Sequence, residues 1–127
     1  MSVHLLGSFQ DVPRRPGRRS RDLAGTEHGF ESLFLSETEM DPGSTIPLHT
    51  HPVEEAWVIT QGQIWVCTGD DEVLVSAGSG ICVPPGVAHA LRNDGLVVVR
   101  ALTAAPWSRA TFYSHATTYL EGEAPLA

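Results

Sequence analysis

The chain has 127 residues, of which 42% are hydrophobic and 18% are charged, a balance that suits one domain with a single hydrophobic core. Its 15 acidic and 8 basic side chains give a net charge of −7, and every basic residue is an arginine, which argues against a nucleic-acid-binding protein. No stretch approaches the roughly 18 consecutive apolar residues of a membrane span, and the start lacks a signal-peptide pattern. Two cysteines cannot form a disulfide framework. These features predict a cytoplasmic protein without a nucleic-acid or membrane partner.

The first element along the chain is an arginine-rich segment, residues 11–25, which also contains proline and glycine and few apolar side chains. Because runs of like charge are usually solvated, we expect an irregular arm here, with a phosphate-binding or membrane-surface patch as the alternative. Five of the eight arginines lie in this segment: Arg14, Arg15, Arg18, Arg19 and Arg21. Residues 22–127 then hold fourteen acidic residues and three arginines, a balance that favours binding of a divalent cation.

From residue 30 onward, short apolar or alternating runs are separated by turn residues about every ten positions, which is typical of an all-β domain. The predicted strands are 30–40, 45–51, 54–60, 63–68, 72–76, 80–83, 88–93 and 96–103, with a weaker candidate at 110–114. About eight strands predict a closed barrel or a jelly roll, because these architectures hide strand edges. We divide the chain into an N-terminal segment and arm (1–29), a barrel (30–104), and a C-terminal extension (105–127) that packs on the barrel or on a partner subunit.

Three histidines and one acidic residue have the spacing of a metal site. His49 and His51 are one residue apart, so on a strand both side chains point to the same face. Glu55 joins that face if the chain bends after His51, and His89 comes from a distant strand. Two histidines and a carboxylate form a facial ligand set, and a third histidine still leaves room for two small ligands. The other histidines, His4, His28 and His115, are expected at the surface.

Two spaced motifs resemble those of the cupin family. Residues 43–62, from Gly43 to Gly62, are similar to the first cupin motif, G(X)5HXH(X)3–4E(X)6G. Residues 78–93, from Gly78 to Asn93, are similar to the second, G(X)5PXG(X)2H(X)3N. The resemblance implies a cupin-type jelly-roll β-barrel, often dimeric, in which His49, His51, Glu55 and His89 hold one divalent transition metal. The metal is Fe, Mn, Ni, Cu or Zn, and Asn93 is expected to hold a loop rather than to touch substrate.

The interior of the barrel can be sketched from a predicted two-residue hairpin turn at Gln61-Gly62. Since Glu55 points inward, alternation predicts that four apolar side chains also point inward and form the substrate-binding wall, although a plain core role is the alternative for the tryptophan. These side chains are Trp57, Ile59, Ile64 and Val66. Outward residues, Val58, Trp65 and Cys67, would form an apolar stripe that contacts a second subunit of a homodimer or the chain's own termini. Arg92 should face outward, and Arg100 should pair with an acidic residue, with a substrate carboxylate as the alternative partner.

The first functional hypothesis is a metal-dependent enzyme of the cupin type, a dioxygenase or other oxidoreductase whose small-molecule substrate chelates the metal through two oxygens. Glu55 is the candidate catalytic residue, as a weak ligand that accepts a substrate proton. A metal-dependent isomerase, cyclase or lyase that uses the same residues is the first alternative. A non-catalytic cupin that binds a small molecule is the second.

Overall fold

A computed structural model describes residues 1–7, 13–68 and 70–121 of the chain. Within these residues, strands form two antiparallel sheets, and two short helical segments lie between successive strands. The strands are β1 (Pro13–Arg15), β2 (Arg18–Ala24), β3 (Leu33–Met40), β4 (Thr45–Thr50), β5 (Glu55–Gln61), β6 (Gln63–Thr68), β7 (Asp71–Ser76), β8 (Gly80–Val83), β9 (His89–Arg92), β10 (Val99–Pro106) and β11 (Thr118–Tyr119). The helical segments are a 3₁₀ turn, Thr26–His28, and a π-helix, Thr111–Ala116, called the C-terminal helix below.

The two sheets face each other and enclose the core, which confirms the all-β jelly-roll class. The six-stranded sheet has the order β1-β2-β3-β10-β5-β8, and the five-stranded sheet has the order β11-β4-β9-β6-β7. The hydrogen-bonded pairs described here leave two sheets rather than one closed cylinder. The main apolar cluster between them comes from six strands and comprises Met40, Ile46, Trp57, Ile59, Ile64, Val66, Leu91, Val99 and Ala101. None of the described helices is long and apolar enough to span a membrane.

The arginine-rich segment differs from its sequence interpretation, because residues 13–24 lie in the sheet rather than in an irregular arm. Strand β2 pairs with β3 from Arg18↔Met40 to Ala24↔Leu35. Alternation along β2 buries Arg18 and Ser20, which are 2% and 0% exposed. The strand forms despite its charge because its outward arginines face acidic residues of β3 and its end, as described below. Residues 11 and 12 of the segment lie outside the described residues.

The hairpin predicted at Gln61-Gly62 is wrong, because this turn carries the chain from one sheet to the other. Strand β5 pairs with β10 and β8, whereas β6 pairs with β7 and β9. Gly62 has φ +82°, and a Cβ here would lie 3.2 Å from Val99 Cγ2, so a glycine is required at the crossover. The inward positions of β5 and β6 were nevertheless predicted correctly, since burial depends only on the alternation within each strand. Strands β6 and β7 do form a hairpin, which ends at the Thr68↔Asp71 pair, and residue 69 lies outside the described part.

The weak strand predicted at 110–114 is wrong, because this stretch is helical. Trp107 adopts φ +69° directly after β10, and Ser108 follows it. The Thr111 amide donates to Ser108 Oγ (3.1 Å), and the Phe112 amide donates to the Ser108 carbonyl (2.9 Å). These bonds start a helical turn despite the β-favouring aromatic side chains. The C-terminal helix lies between β10 of the six-stranded sheet and β11, which pairs with β4 in the five-stranded sheet.

Candidate metal centre

The four side chains of the predicted metal site meet between the two sheets. His49 on β4 pairs directly with His89 on β9 in the five-stranded sheet, and His51 comes directly after the end of β4. Glu55 begins β5 in the opposite sheet. One potential ligand atom from each residue lies within 4.8 Å of the other three. All four residues are between 1% and 3% exposed.

A bulge in β4 and a corner of the chain turn the histidines inward. The register shifts by one residue between Ile46↔Leu91 and His49↔His89, so Ile46 and His49 point to the same interior although they are three residues apart. The Gly86 amide donates to the His51 carbonyl at 2.8 Å, which ties the proline corner before β9 to the end of β4. The two cupin motifs are thus joined at the site.

Each histidine has its Nδ1 atom fixed by a backbone carbonyl two residues away. The distances are 2.7 Å from His49 to Pro47, 3.1 Å from His51 to Val53, and 2.9 Å from His89 to Val87. Because a carbonyl only accepts, Nδ1 must carry the proton, and in the neutral ring Nε2 has a free lone pair. Such outer contacts are typical of metal-ligating histidines.

The electrostatics keep His49 and Glu55 in the forms that bind a metal. Burial, and then the proximity of His89, lowers the pKa of His49 to about 4, so this imidazole is neutral at physiological pH. Burial alone would raise the pKa of Glu55, but the His51 and His89 side chains outweigh it and hold the pKa well below its usual range. Glu55 Oε1 lies 3.3 Å from His89 Nε2 and 3.5 Å from His51 Nε2.

The residues fit a divalent transition metal. His51 Nε2 is buried and has no hydrogen-bond partner among the described residues, although it points at the cluster. A buried polar atom without a partner is costly unless something else binds it. Three imidazole nitrogens and one carboxylate oxygen are donors that suit Fe, Mn, Ni, Cu or Zn.

Aromatic residues after β10 complete the site, and the sequence interpretation missed them. Tyr113 Oη donates to Glu55 Oε2 at 3.3 Å, and Phe112 lies with its ring centroid 4.4 Å from that of His51. Tyr119 on β11 stacks on His49 at 5.4 Å. The sequence pattern predicted a strand at 110–114, and a strand there gave no reason to place Phe112 and Tyr113 at the metal centre. The one available signal was the adjacent Phe112 and Tyr113 pair in an otherwise polar segment.

The predicted substrate-binding residues lie in the main apolar cluster rather than beside open space. Trp57, Ile59, Ile64 and Val66 are 4%, 0%, 1% and 8% exposed. This burial fits core packing, and their role toward substrate stays a prediction. Trp57 Nε1 is buried, and the Trp57 side chain helps to lower the pKa of Glu55, so this N–H faces the carboxylate of the cluster.

Three polar residues outside the centre have the structural roles expected of them. Arg92 faces outward and pairs with Glu72 and Asp94. Arg100 pairs with Glu39 at 3.2 Å. Asn93 is fully buried, and its Nδ2 donates to the carbonyls of residues 40 and 97 at 3.0 Å each. His4 and His28 pack on each other, with ring centroids 4.6 Å apart, and the side chain of His115 lies outside the described residues.

Comparison with known proteins places the chain among proteins with this fold. The structure of the polyketide cyclase RemF from Streptomyces resistomycificus superposes with a TM-score of 0.80 over 97% of this chain and 87% of that one, at 22% identity. The DMSP lyase DddQ from Ruegeria pomeroyi superposes with a TM-score of 0.65 over 84% of this chain and 54% of that one, at 26% identity.

Sequence relatives are similarly distant. Auxin-binding protein 1 from Arabidopsis thaliana is 27% identical over 72% of this chain and 53% of its own length. The tetracenomycin polyketide synthase protein TcmJ from Streptomyces glaucescens is 26% identical over 76% of this chain and 66% of its own. The chain therefore spans between about half and two thirds of these two relatives.

A family model decides the assignment. The cupin domain model matches residues 36–104, which is more than half of the chain and includes both motifs and all four clustered residues. The matched residues contribute strands to both facing sheets and contain the whole His/Glu cluster of the structure. This protein is a member of the cupin family.

Proposed function

We propose that this protein is a metal-dependent enzyme that moves a proton on a small-molecule substrate at the His49, His51, Glu55 and His89 centre. The observation that carries the proposal is the meeting of three anchored imidazoles and one carboxylate at a buried point between the sheets. One divalent transition metal is the cofactor, and when bound it would supply Lewis-acid polarisation of two substrate oxygens.

The two oxygens of Glu55 have separate surroundings, which supports its role as the catalytic base. Oε1 faces the histidines, whereas Oε2 accepts a hydrogen bond from Tyr113. Burial raises the pKa of Tyr113, so its phenol keeps the proton and acts only as a donor. Tyr113 is therefore a positioning residue that orients Oε2, where Glu55 takes up the substrate proton. Phe112 covers the His51 ring and excludes water from it.

Cyclisation or isomerisation is the first reaction class to test. Proton transfer at Glu55 is chemistry that the described side chains provide by themselves, and the similar proteins include a polyketide cyclase and a polyketide synthase protein. The dioxygenase reaction expected from the sequence is the second candidate, because a four-residue ligand set leaves positions for both substrate and O₂.

The test is turnover of a 1,3-diketone probe by protein loaded with each metal in turn. We expect deuterium exchange at the carbon between the carbonyls to exceed the background rate, and Glu55→Gln to lower it by about 10²–10⁴-fold. Tyr113→Phe should retain the metal and lower the rate by about 10–100-fold. Uptake of O₂ with loss of the diketone would instead identify a dioxygenase. Binding of the probe without either reaction would contradict an enzymatic role on such substrates and favour the small-molecule-binding cupin.

The homodimer stays a prediction, and we propose a different interface from the apolar stripe predicted from the sequence. Val58 belongs to the six-stranded sheet, whereas Trp65 and Cys67 belong to the five-stranded sheet, so they do not form one stripe. The outer face of the six-stranded sheet has an apolar groove of about 510 Å³ instead. Its lining includes Leu33, Ala56, Cys82 and Ala104, and Val58 lies on the same face. Leu33 and Val58 are 45% and 46% exposed. A second copy fits such a face, since a two-fold interface brings the same patch together twice.

We expect light scattering to give twice the chain mass of 13.7 kDa for the wild type and the single chain mass for Val58→Asp, because a carboxylate on this face would be buried unpaired. Val73→Asp is the matched control, since Val73 is 58% exposed on the other sheet. A wild-type monomer would contradict the homodimer, and a dimeric Val58→Asp variant would contradict this interface.

A further inference from the structure

Two arginines next to the metal centre, one buried and one half-buried, have buried guanidinium nitrogens and no acidic partner among the described residues. Arg15 and Arg18 face each other across the β1–β2 turn, where Gly17 has φ +74°. Arg18 is 2% exposed, and its Nε has no hydrogen-bond partner within the described residues. Arg15 has two such buried atoms, Nε and Nη2. The described ion pairs include neither residue. Each guanidinium therefore keeps at least one unused buried donor, although Arg15 also forms a hydrogen bond with the Tyr119 side chain.

The two outward arginines of the same strand, Arg19 and Arg21, do have acidic partners. Arg19 forms a double hydrogen bond with Asp41 at 2.8 and 3.1 Å, and Arg21 pairs with Glu37. These side chains point outward from β2, whereas Arg18 points inward. On this strand the outward arginines have acidic partners, whereas the inward Arg18 has none among the described residues.

The neighbouring carboxylate is already engaged. Asp22 accepts from Arg109 Nε at 3.2 Å and from Ser36 Oγ at 2.8 Å. Burial, and then the positive charge of Arg109, lowers the pKa of Arg14, which is a sign of excess positive charge here. Like charges directly opposite each other on paired strands repel, and a buried charge without a counterion is costly. An anion at this position would relieve both costs.

Two tyrosine rings connect the arginines to the metal centre. The Arg18 guanidinium lies 5.6 Å from the centroid of Tyr113, whose hydroxyl donates to Glu55. The Arg15 guanidinium lies 5.1 Å from the centroid of Tyr119, which stacks on His49. The arginine pair is thus about one aromatic ring away from the metal ligands, with flat apolar surfaces between them.

We propose that Arg15 and Arg18 form a subsite that binds the carboxylate of the substrate, and that the enzyme therefore acts on a small organic acid with a planar apolar body. This proposal rests on the proposed function, in which two oxygens at the other end of the same substrate bind the metal. A guanidinium binds a carboxylate through two parallel hydrogen bonds, and two opposed arginines provide more donors than one carboxylate needs.

The test uses metal-free protein, so that a carboxylate cannot bind to a metal ion instead. Calorimetric titration compares 2-naphthoate with 2-naphthamide and 2-naphthyl phosphate. We expect the carboxylate to bind, the amide not to bind, and the phosphate to bind less tightly. Arg18→Met and Arg15→Met should each weaken naphthoate binding by about tenfold or more, since a hydrogen bond to a charged group is lost. The control Arg19→Met should bind naphthoate as the wild type does.

A thermal melt without ligand supplies a second readout. Arg18→Met should raise the melting temperature, because it removes a buried unpaired charge and keeps the volume, whereas Arg19→Met should not raise it. Naphthoate binding that is unchanged in both Arg15→Met and Arg18→Met would overturn the subsite. Tighter binding of the phosphate would overturn the carboxylate assignment, and a lower melting temperature of Arg18→Met with unchanged binding would show a structural role only.

Metal content separates this proposal from the proposed function. If the wild type binds no metal but binds naphthoate through Arg18, the metal-dependent enzyme fails and the subsite stands. If the wild type binds one metal per chain but naphthoate binding does not depend on the arginines, the subsite fails and the metal centre stands.

Discussion

His51→Ala is expected to abolish tight metal binding, whereas the wild type should purify with about one transition metal per chain. His51 Nε2 is buried and faces Glu55 Oε1 at 3.5 Å, and its Nδ1 is held by the Val53 carbonyl. A metal that binds only the folded state stabilises it, by about 2.7 kcal/mol at a free metal concentration of 100 times Kd. We therefore expect added metal to raise the wild-type melting temperature by roughly 10 °C and to leave that of the variant unchanged.

Elemental analysis and melts with metal or chelator measure both effects. His51→Gln is a useful second variant, because it retains more of the side-chain volume that packs on Phe112 and so separates metal loss from core damage. His4→Ala is the control, since His4 packs against His28 and does not belong to the cluster. If His51→Ala retained metal at the wild-type stoichiometry, the assignment of the four ligands would be wrong.

Phe112→Ala is expected to lower the free energy of unfolding of the metal-free protein by about 3–5 kcal/mol. Phe112 is fully buried, and its ring packs on Phe34, Tyr113 and His51 at 5.5, 4.9 and 4.4 Å between centroids. Truncation would leave a cavity under the C-terminal helix and remove the wall that excludes water from His51. Since domains of this size are stable by only about 5–15 kcal/mol, this is a large fraction of the total.

Denaturant unfolding in the presence of chelator measures the change directly through the midpoint and the m-value. Phe112→Leu should cost less than half as much, because most of the volume is kept. Phe30→Ala is the matched surface control: Phe30 is 44% exposed, and its loss should change stability by about 0.5 kcal/mol or less. A cost for Phe112→Ala as small as that of the control would mean that the C-terminal helix does not pack on the site.

The candidate metal residues could be predicted from the sequence because their positions depend on local periodicity. The one-residue spacing of His49 and His51 places both on one face of a strand whatever that strand pairs with. The buried alternation of Trp57 and Ile59 follows from the same rule. Residues 63–68 and 80–83 were predicted with the bounds that the structure has.

Pairing between strands was not predictable in the same way. A two-residue connection such as Gln61-Gly62 predicts a hairpin locally, but here the long-range pairing of β5 with β10 and of β6 with β9 decided the sheets. The apolar stripe predicted from that hairpin was therefore divided between two sheets.

The sequence by itself determined the strand periodicity, the inward residues of each strand and the two motifs that carry His49, His51, Glu55 and His89. Only the tertiary structure decided that β2 belongs to the sheet, that Arg18 is buried beside Tyr113, and that Tyr113 reaches Glu55. The physical reason is the range of the interactions. Alternation follows from the backbone of one strand, whereas the burial of an arginine or the partner of a tyrosine depends on side chains that are distant in sequence and meet only when the sheets pack.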